Sequence, residues 1–158
     1  MSVGKPQWFL PLAFARSVLA DLIVAAAAVG TGTLPASAQD AGIKALRPGV
    51  TGREVHELVE DIIWNAGYDT LRPGQKKDPS DTTPRGFIHA TGHGVGLELH
   101  EAPVIARSAT KPLVAGDVVT IEPGVYDPAL GGVRLEDMLV ITEMGARNFT
   151  QAPRELVV

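Results

Sequence analysis

Three of the chain's four histidines, His89, His93 and His100, fall within twelve residues, and Glu101 follows directly. Two strand-like segments come next, each with a glutamate set among apolar residues: Glu122 closes 117–122 and Glu136 sits within 133–142. Imidazole nitrogen and carboxylate oxygen, delivered by β-segments joined through Gly and Pro turns, are the usual materials of a catalytic metal site. A glutamate buried in a strand without a cation costs several kcal/mol or is forced to protonate.

Positioning those side chains is a matter of period and turns. His93 and His100 are seven apart, which on an unbroken strand points them to opposite faces. Gly94 and Gly96 permit a turn or bulge between them, so both can face one cavity. Arg134 and Glu136 are two apart and share a strand face, while Val133, Leu135 and Leu139 point the other way into a core. Glu122 stands at a strand end before Pro123 and Gly124, and Tyr126 near the following turn is a candidate pocket-lining residue.

The remaining elements are helical upstream and extended downstream. Residues 40–47 read as a helix end stopped at Pro48 and Gly49. Thr51 and Glu54 have capping-box spacing, and the helix they open stripes Val55, Leu58, Val59, Ile62 and Ile63 along one face. His56, within it, reads as a surface or boundary residue without a role. Residues 69–85 hold Pro, Gly, Lys, Asp and Thr with little apolar periodicity and read as a surface loop. Strands are expected at 87–91, 117–122 and 133–142, with a turn over 127–132.

A chain of 158 residues accommodates one domain with a real core. Its net charge of −4 and scattered basic residues argue against a nucleic-acid partner. The absence of cysteine excludes disulfides and zinc–thiolate sites and fits a cytoplasmic protein. Residues 1–38 differ from the rest: Lys5 and Arg16, an apolar run from Leu22, then Ala36-Ser37-Ala38 follow the grammar of a secretory signal. Export is therefore the alternative, although Arg16 and Asp21 interrupt the pattern. These residues are read as an N-terminal extension, expected to pack poorly before about Ala36, and 39–158 as the domain proper.

At His89–Glu101, Thr120–Gly124 and Arg134–Asp137 the chain resembles the Xaa-Pro aminopeptidase and prolidase branch of the pita-bread (creatinase/aminopeptidase) metallopeptidases. The likeness runs from about Ala38 to the C-terminus. It implies an α+β fold corresponding to the C-terminal half of a pita-bread domain, a curved antiparallel sheet with helices on its outer face. It further implies metal ligation by His93, Glu122 and Glu136, with Glu122 also handling the proton of the attacking water. His89 and His100 match histidines that hold substrate and tetrahedral intermediate, and Arg134 matches an arginine beside the site in the proline-specific branch. The implied cofactor is a divalent metal, manganese first, with cobalt, iron or zinc as alternatives. Short proline-containing peptides are the implied substrates, and a homodimer stays open.

The family pattern also requires two aspartates on a hairpin upstream of the first helix. Residues 1–38 hold a single acidic residue, Asp21, so the two-ion site is expected to be incomplete. Two functional classes follow: a truncated, weakly active Xaa-Pro peptidase, or an inactive remnant or interaction module that keeps the fold. A metal-free, creatinase-like amidinohydrolase fits less well, because Glu122 and Glu136 keep the metallopeptidase form.

Overall fold

The structure, a computed structural model, describes residues 33–74 and 85–152. Two helices come first, α1 (Thr33–Ala45) and α2 (Gly52–Asn65). Seven strands follow: β1 (Gly92–Gly94), β2 (Glu101–Ile105), β3 (Val118–Ile121), β4 (Gly124–Asp127), β5 (Gly131–Arg134), β6 (Asp137–Thr142) and β7 (Gly145–Asn148). Five of them form a sheet in the order β2-β1-β3-β6-β7, with every neighbouring pair antiparallel, while β4 and β5 make a separate ribbon. The α+β expectation is met. The apolar extension expected before about Ala36 lies almost wholly outside the described residues, as does most of the loop over 69–85. Among the described residues no helix is long and apolar enough to cross a membrane.

Both helices pack on one face of the sheet. Val119 and Ile121 of β3 and Leu139 and Ile141 of β6 are buried against Leu46, Val50, Val55 and Ile105. Alternation along β3 turns Thr120 to the opposite face. A second cluster joins Ala38, Val59, Ile63, Phe87 and Val125, tying both helices to the ribbon. The capping box forms as the spacing predicts: the Glu54 amide donates to Thr51 Oγ1 at 3.1 Å, and the Thr51 amide donates to the Glu54 carboxylate at 2.7 Å. The Thr51 amide and the Thr51 hydroxyl, both donating to the Glu54 carboxylate, hold that exposed carboxyl below its ordinary pKa. Replacing Thr51 with alanine is expected to cost about 1 kcal/mol in a urea unfolding titration.

Three sequence expectations are corrected. Strand pairing begins at Gly92; over 87–91 there is only a single-residue bridge from Phe87 to Thr70, because Gly86 turns the chain at a φ of 77° against Asp69. The strand expected over 133–142 breaks at Leu135 and Glu136, where the chain leaves the β4–β5 ribbon and enters the sheet. The buried stripe of α2 is rotated: Leu58 is 40% exposed, while His56 and Glu60 are 6% and 1% exposed. Gly52 lets the helix approach β2 closely, since any added Cβ would overlap the Val104 carbonyl.

That rotation buries two ionisable groups, and each has a partner. Glu60 pairs with Arg107, which also reaches Glu57 at 3.1 Å. His56 Nδ1 bonds Thr91 Oγ1 at 2.9 Å. Burial, reinforced by the charge of Arg107 and then of His89, lowers the His56 pKa from 6.5 to about 4. The unfolded chain therefore binds a proton that the native chain refuses between pH 6.5 and about 4, so stability falls as pH falls through that window. The loss is on the order of 2 kcal/mol after solvent screening is allowed for. Urea midpoints against pH should fall more steeply for the wild type than for His56→Asn; parallel curves would contradict this.

Candidate metal centre

The site lies on the face of the sheet opposite the helices, where β1, the end of β3 and the junction between β5 and β6 meet. Ile121 is the last residue of β3, so Glu122 follows it on the Thr120 side. Two backbone anchors fix that strand end. The Glu122 amide donates to the Thr91 carbonyl at 2.7 Å, and Gln39 of α1, fully buried, donates through Nε2 to the Ile121 carbonyl at 3.1 Å.

A single hydroxyl then ties the two sides of the site together. Thr120 Oγ1 accepts from the His93 amide at 3.0 Å and donates to Glu122 Oε1 at 3.2 Å. His93 Nδ1 lies 3.0 Å from the Gly94 carbonyl, which only accepts, so Nδ1 carries the proton. The other ring nitrogen, Nε2, faces Glu122 Oε1 at 3.4 Å. This is how an orienting hydrogen bond prepares a histidine for a metal.

Glu136 completes the group, although the strand expected to carry it is broken. One ligand atom each from His93, Glu122 and Glu136 lies within 4.8 Å of the others. Donors about 2.1 Å from one ion stand at most about 4.2 Å apart. The His93–Glu122 pair, at 3.4 Å, is inside that limit, and Glu136 is the exposed member of the group. Side chains of His93 and Glu122 are 14% and 13% exposed, so water reaches the site only partly. One imidazole and two carboxylates thus fit a divalent transition ion, and among the described residues they are the whole cluster.

The other candidate residues are arranged around this cluster. His100 reaches the site as the glycine argument anticipates, with its ring centroid 4.2 Å from that of His93. Arg134 approaches Glu122 rather than Glu136, with Nε 3.8 Å from Oε2, and its side chain is 51% exposed. His89 is placed outside the ligand cluster. Its Nδ1 donates to the Ala90 carbonyl at 2.7 Å, leaving Nε2 to accept from the Tyr126 hydroxyl at 3.1 Å. Tyr126 therefore stands beside a site histidine, as its place near the turn suggests. Gly124 permits this approach, since an added Cβ would meet both Tyr126 Oη and His89 Nε2.

Sequence reading missed Thr91, Thr120, Gln39 and His56. Thr120 had a usable signal, its place two residues before Glu122 on one strand. Gln39 had none, because its contact crosses 82 residues.

Known proteins resemble this chain in sequence and in fold. Residues 33–143 match the family model described as metallopeptidase family M24. An Xaa-Pro dipeptidase of Pyrococcus furiosus is 42% identical over 120 residues, 76% of this chain and 30% of that protein. The solved Xaa-Pro dipeptidase from Bacillus anthracis superposes with a TM-score of 0.65 at 33% identity, over 99% of this chain and 35% of the other. The prolidase from Pyrococcus horikoshii OT3 gives 0.65 at 31% identity, over 99% and 36%. The fold is a partial pita-bread fold, and the chain spans about a third of the length of the proteins it matches.

Proposed function

The chain belongs to metallopeptidase family M24, and we propose that it is a metal-dependent peptidase domain hydrolysing Xaa-Pro bonds in short peptides. The observation that carries this is the convergence of His93, Glu122 and Glu136 to within 4.8 Å, with His93 Nε2 facing Glu122. These three residues hold the ion, for which manganese is the first candidate. A bound divalent ion acidifies water and polarises a carbonyl. Glu122 takes the proton of the attacking water and returns it to the leaving nitrogen, a role that suits a carboxylate oriented by Thr120 and Arg134.

His100, beside His93, and His89, held by Tyr126, position the substrate on either side of the scissile bond. Arg134, half-exposed at the rim, offers its free guanidinium edge to a substrate carboxylate. Cytoplasmic peptides containing proline are the substrates this reading assigns, to one copy of the chain or to a homodimer.

The ligand count favours a second reading. Three described donors are few for two ions sharing a nucleophile, so turnover is expected to be weak, and a non-catalytic domain that keeps the fold is the alternative. Purified protein is assayed with an Xaa-Pro dipeptide and manganese or cobalt, before and after chelation. Turnover that appears with metal and disappears with chelator supports the peptidase. Metal uptake without turnover supports the non-catalytic domain, and failure to take up either metal contradicts both readings of the site.

A further inference from the structure

We infer that His56 of α2, on the far side of the sheet from the ligands, is a positioning residue for this site, acting through Thr91. The inference rests on the reading of His93, Glu122 and Glu136 as metal ligands.

Thr91 lies between His89 and His93 and is fully buried. Its amide donates to the Ile105 carbonyl at 2.9 Å, and its carbonyl accepts the Glu122 amide at 2.7 Å. The side-chain hydroxyl is left for His56 Nδ1, at 2.9 Å. Thr91 is thus the one residue that joins the segment carrying His89 and His93 directly to the backbone of Glu122. Its rotation is set from the helix.

The neighbours of His56 suit that work. Its ring is tilted against Phe87 at 5.6 Å between centroids, and Phe87 in turn meets His89 edge-on at 5.2 Å. The imidazole therefore sits in a row of rings that ends at Tyr126. A buried imidazole on a helix stripe costs desolvation that an apolar side chain in the same place would not. The helix nonetheless presents His56. What the imidazole supplies that leucine cannot is a hydrogen bond to the Thr91 hydroxyl. Its low pKa keeps it neutral above about pH 4, so the bond does not change with ordinary shifts in pH.

Three variants and two readouts test this. In His56→Asn the amide occupies the place of Nδ1 and keeps the bond; His56→Leu and Thr91→Val each remove one partner. Amide hydrogen exchange is followed by NMR in metal-free protein at Glu122, with the Ile141 amide, bonded to the Asp117 carbonyl at 2.8 Å, as internal control. Cobalt affinity is read from the visible absorption of the bound ion. His56→Leu and Thr91→Val should speed Glu122 exchange about fivefold or more relative to Ile141. They should weaken cobalt binding about tenfold, the usual effect of losing an outer support of a ligand.

His56→Asn should restore both properties. General destabilisation would instead speed Glu122 and Ile141 together, and that outcome overturns the inference, as does a His56→Asn protein no better than His56→Leu. Should His56→Leu fail to fold, Thr91→Val decides by the same criteria. A wild-type protein that takes up no cobalt defeats the metal reading alone, because the exchange ratio still decides whether His56 holds Glu122.

Discussion

Glu122→Ala is expected to abolish metal-dependent hydrolysis and to weaken cobalt or manganese binding by on the order of a hundredfold or more. On the proposed reading the carboxylate has two separate duties. As a metal donor it stands 3.4 Å from His93 Nε2, and without it His93 and Glu136 are left as a two-donor site. As a base it handles the proton of water, a contribution typically worth about a hundredfold to ten-thousandfold in rate. Little of the fold depends on it. Its side chain lies outside the apolar clusters, and its amide, which anchors the strand end to Thr91, survives the substitution. The melting temperature without metal should therefore stay within a few degrees of wild type. Glu122→Gln separates the duties, since the amide oxygen still accepts from Thr120 but carries no charge and takes no proton. Unchanged metal affinity in Glu122→Ala would remove Glu122 from the ligand set.

The sequence carries the ligand types and the order of the elements plainly, for two physical reasons. Capping chemistry is local, so Thr51 and Glu54 announce the start of α2 and the structure places it there. Strand alternation is local as well, so Glu122 and Thr120 share a face and Val119 and Ile121 share the other. Bringing the histidines together needed only glycines at 94 and 96, which the chain displays.

What the sequence conceals depends on contacts between distant segments. The apolar stripe of α2 includes Leu58, yet the helix buries Val55, Val59 and Ile63 with His56 and Glu60 beside them, because Thr91 and Arg107 supply partners that no local pattern reveals. The break at Leu135 and Glu136 was invisible for a similar reason. The run from Val133 to Thr142 reads as one extended segment, but β5 pairs with β4 while β6 pairs with β3, and one strand cannot serve both partners. Arg134 consequently meets Glu122 rather than its neighbour Glu136. The site tolerates the break because Glu136 needs only to reach the cluster, not to share a ladder with it.

Gly92→Ala is expected to cost about 2–3 kcal/mol in stability and to remove tight metal binding, although residue 92 touches no ligand atom. Gly92 does not need its backbone freedom, since its φ is not in the left-handed region. It is needed for clearance. β1 lies so close to β3 that an added Cβ would overlap the Thr120 carbonyl oxygen, would stand 2.7 Å from the carbonyl carbon, and would crowd Thr120 Oγ1 at 3.1 Å. A backbone carbonyl within a paired strand cannot rotate away as a side-chain tip can, so the strands themselves must separate. The bonds that cross this gap are those that align the site: His93 amide to Thr120 Oγ1, and Glu122 amide to the Thr91 carbonyl. Moving β1 outward stretches both, carries His93 Nε2 away from Glu122 and lets water in behind Thr120. Gly96→Ala provides the contrast, because its Cβ would meet only the end of the Glu101 side chain, which can swing aside. Thermal melts and cobalt titrations of the two variants should diverge sharply, with Gly96→Ala close to wild type. A Gly92→Ala protein that melts normally and shows the wild-type cobalt spectrum would mean that β1 does not press on β3 at Thr120.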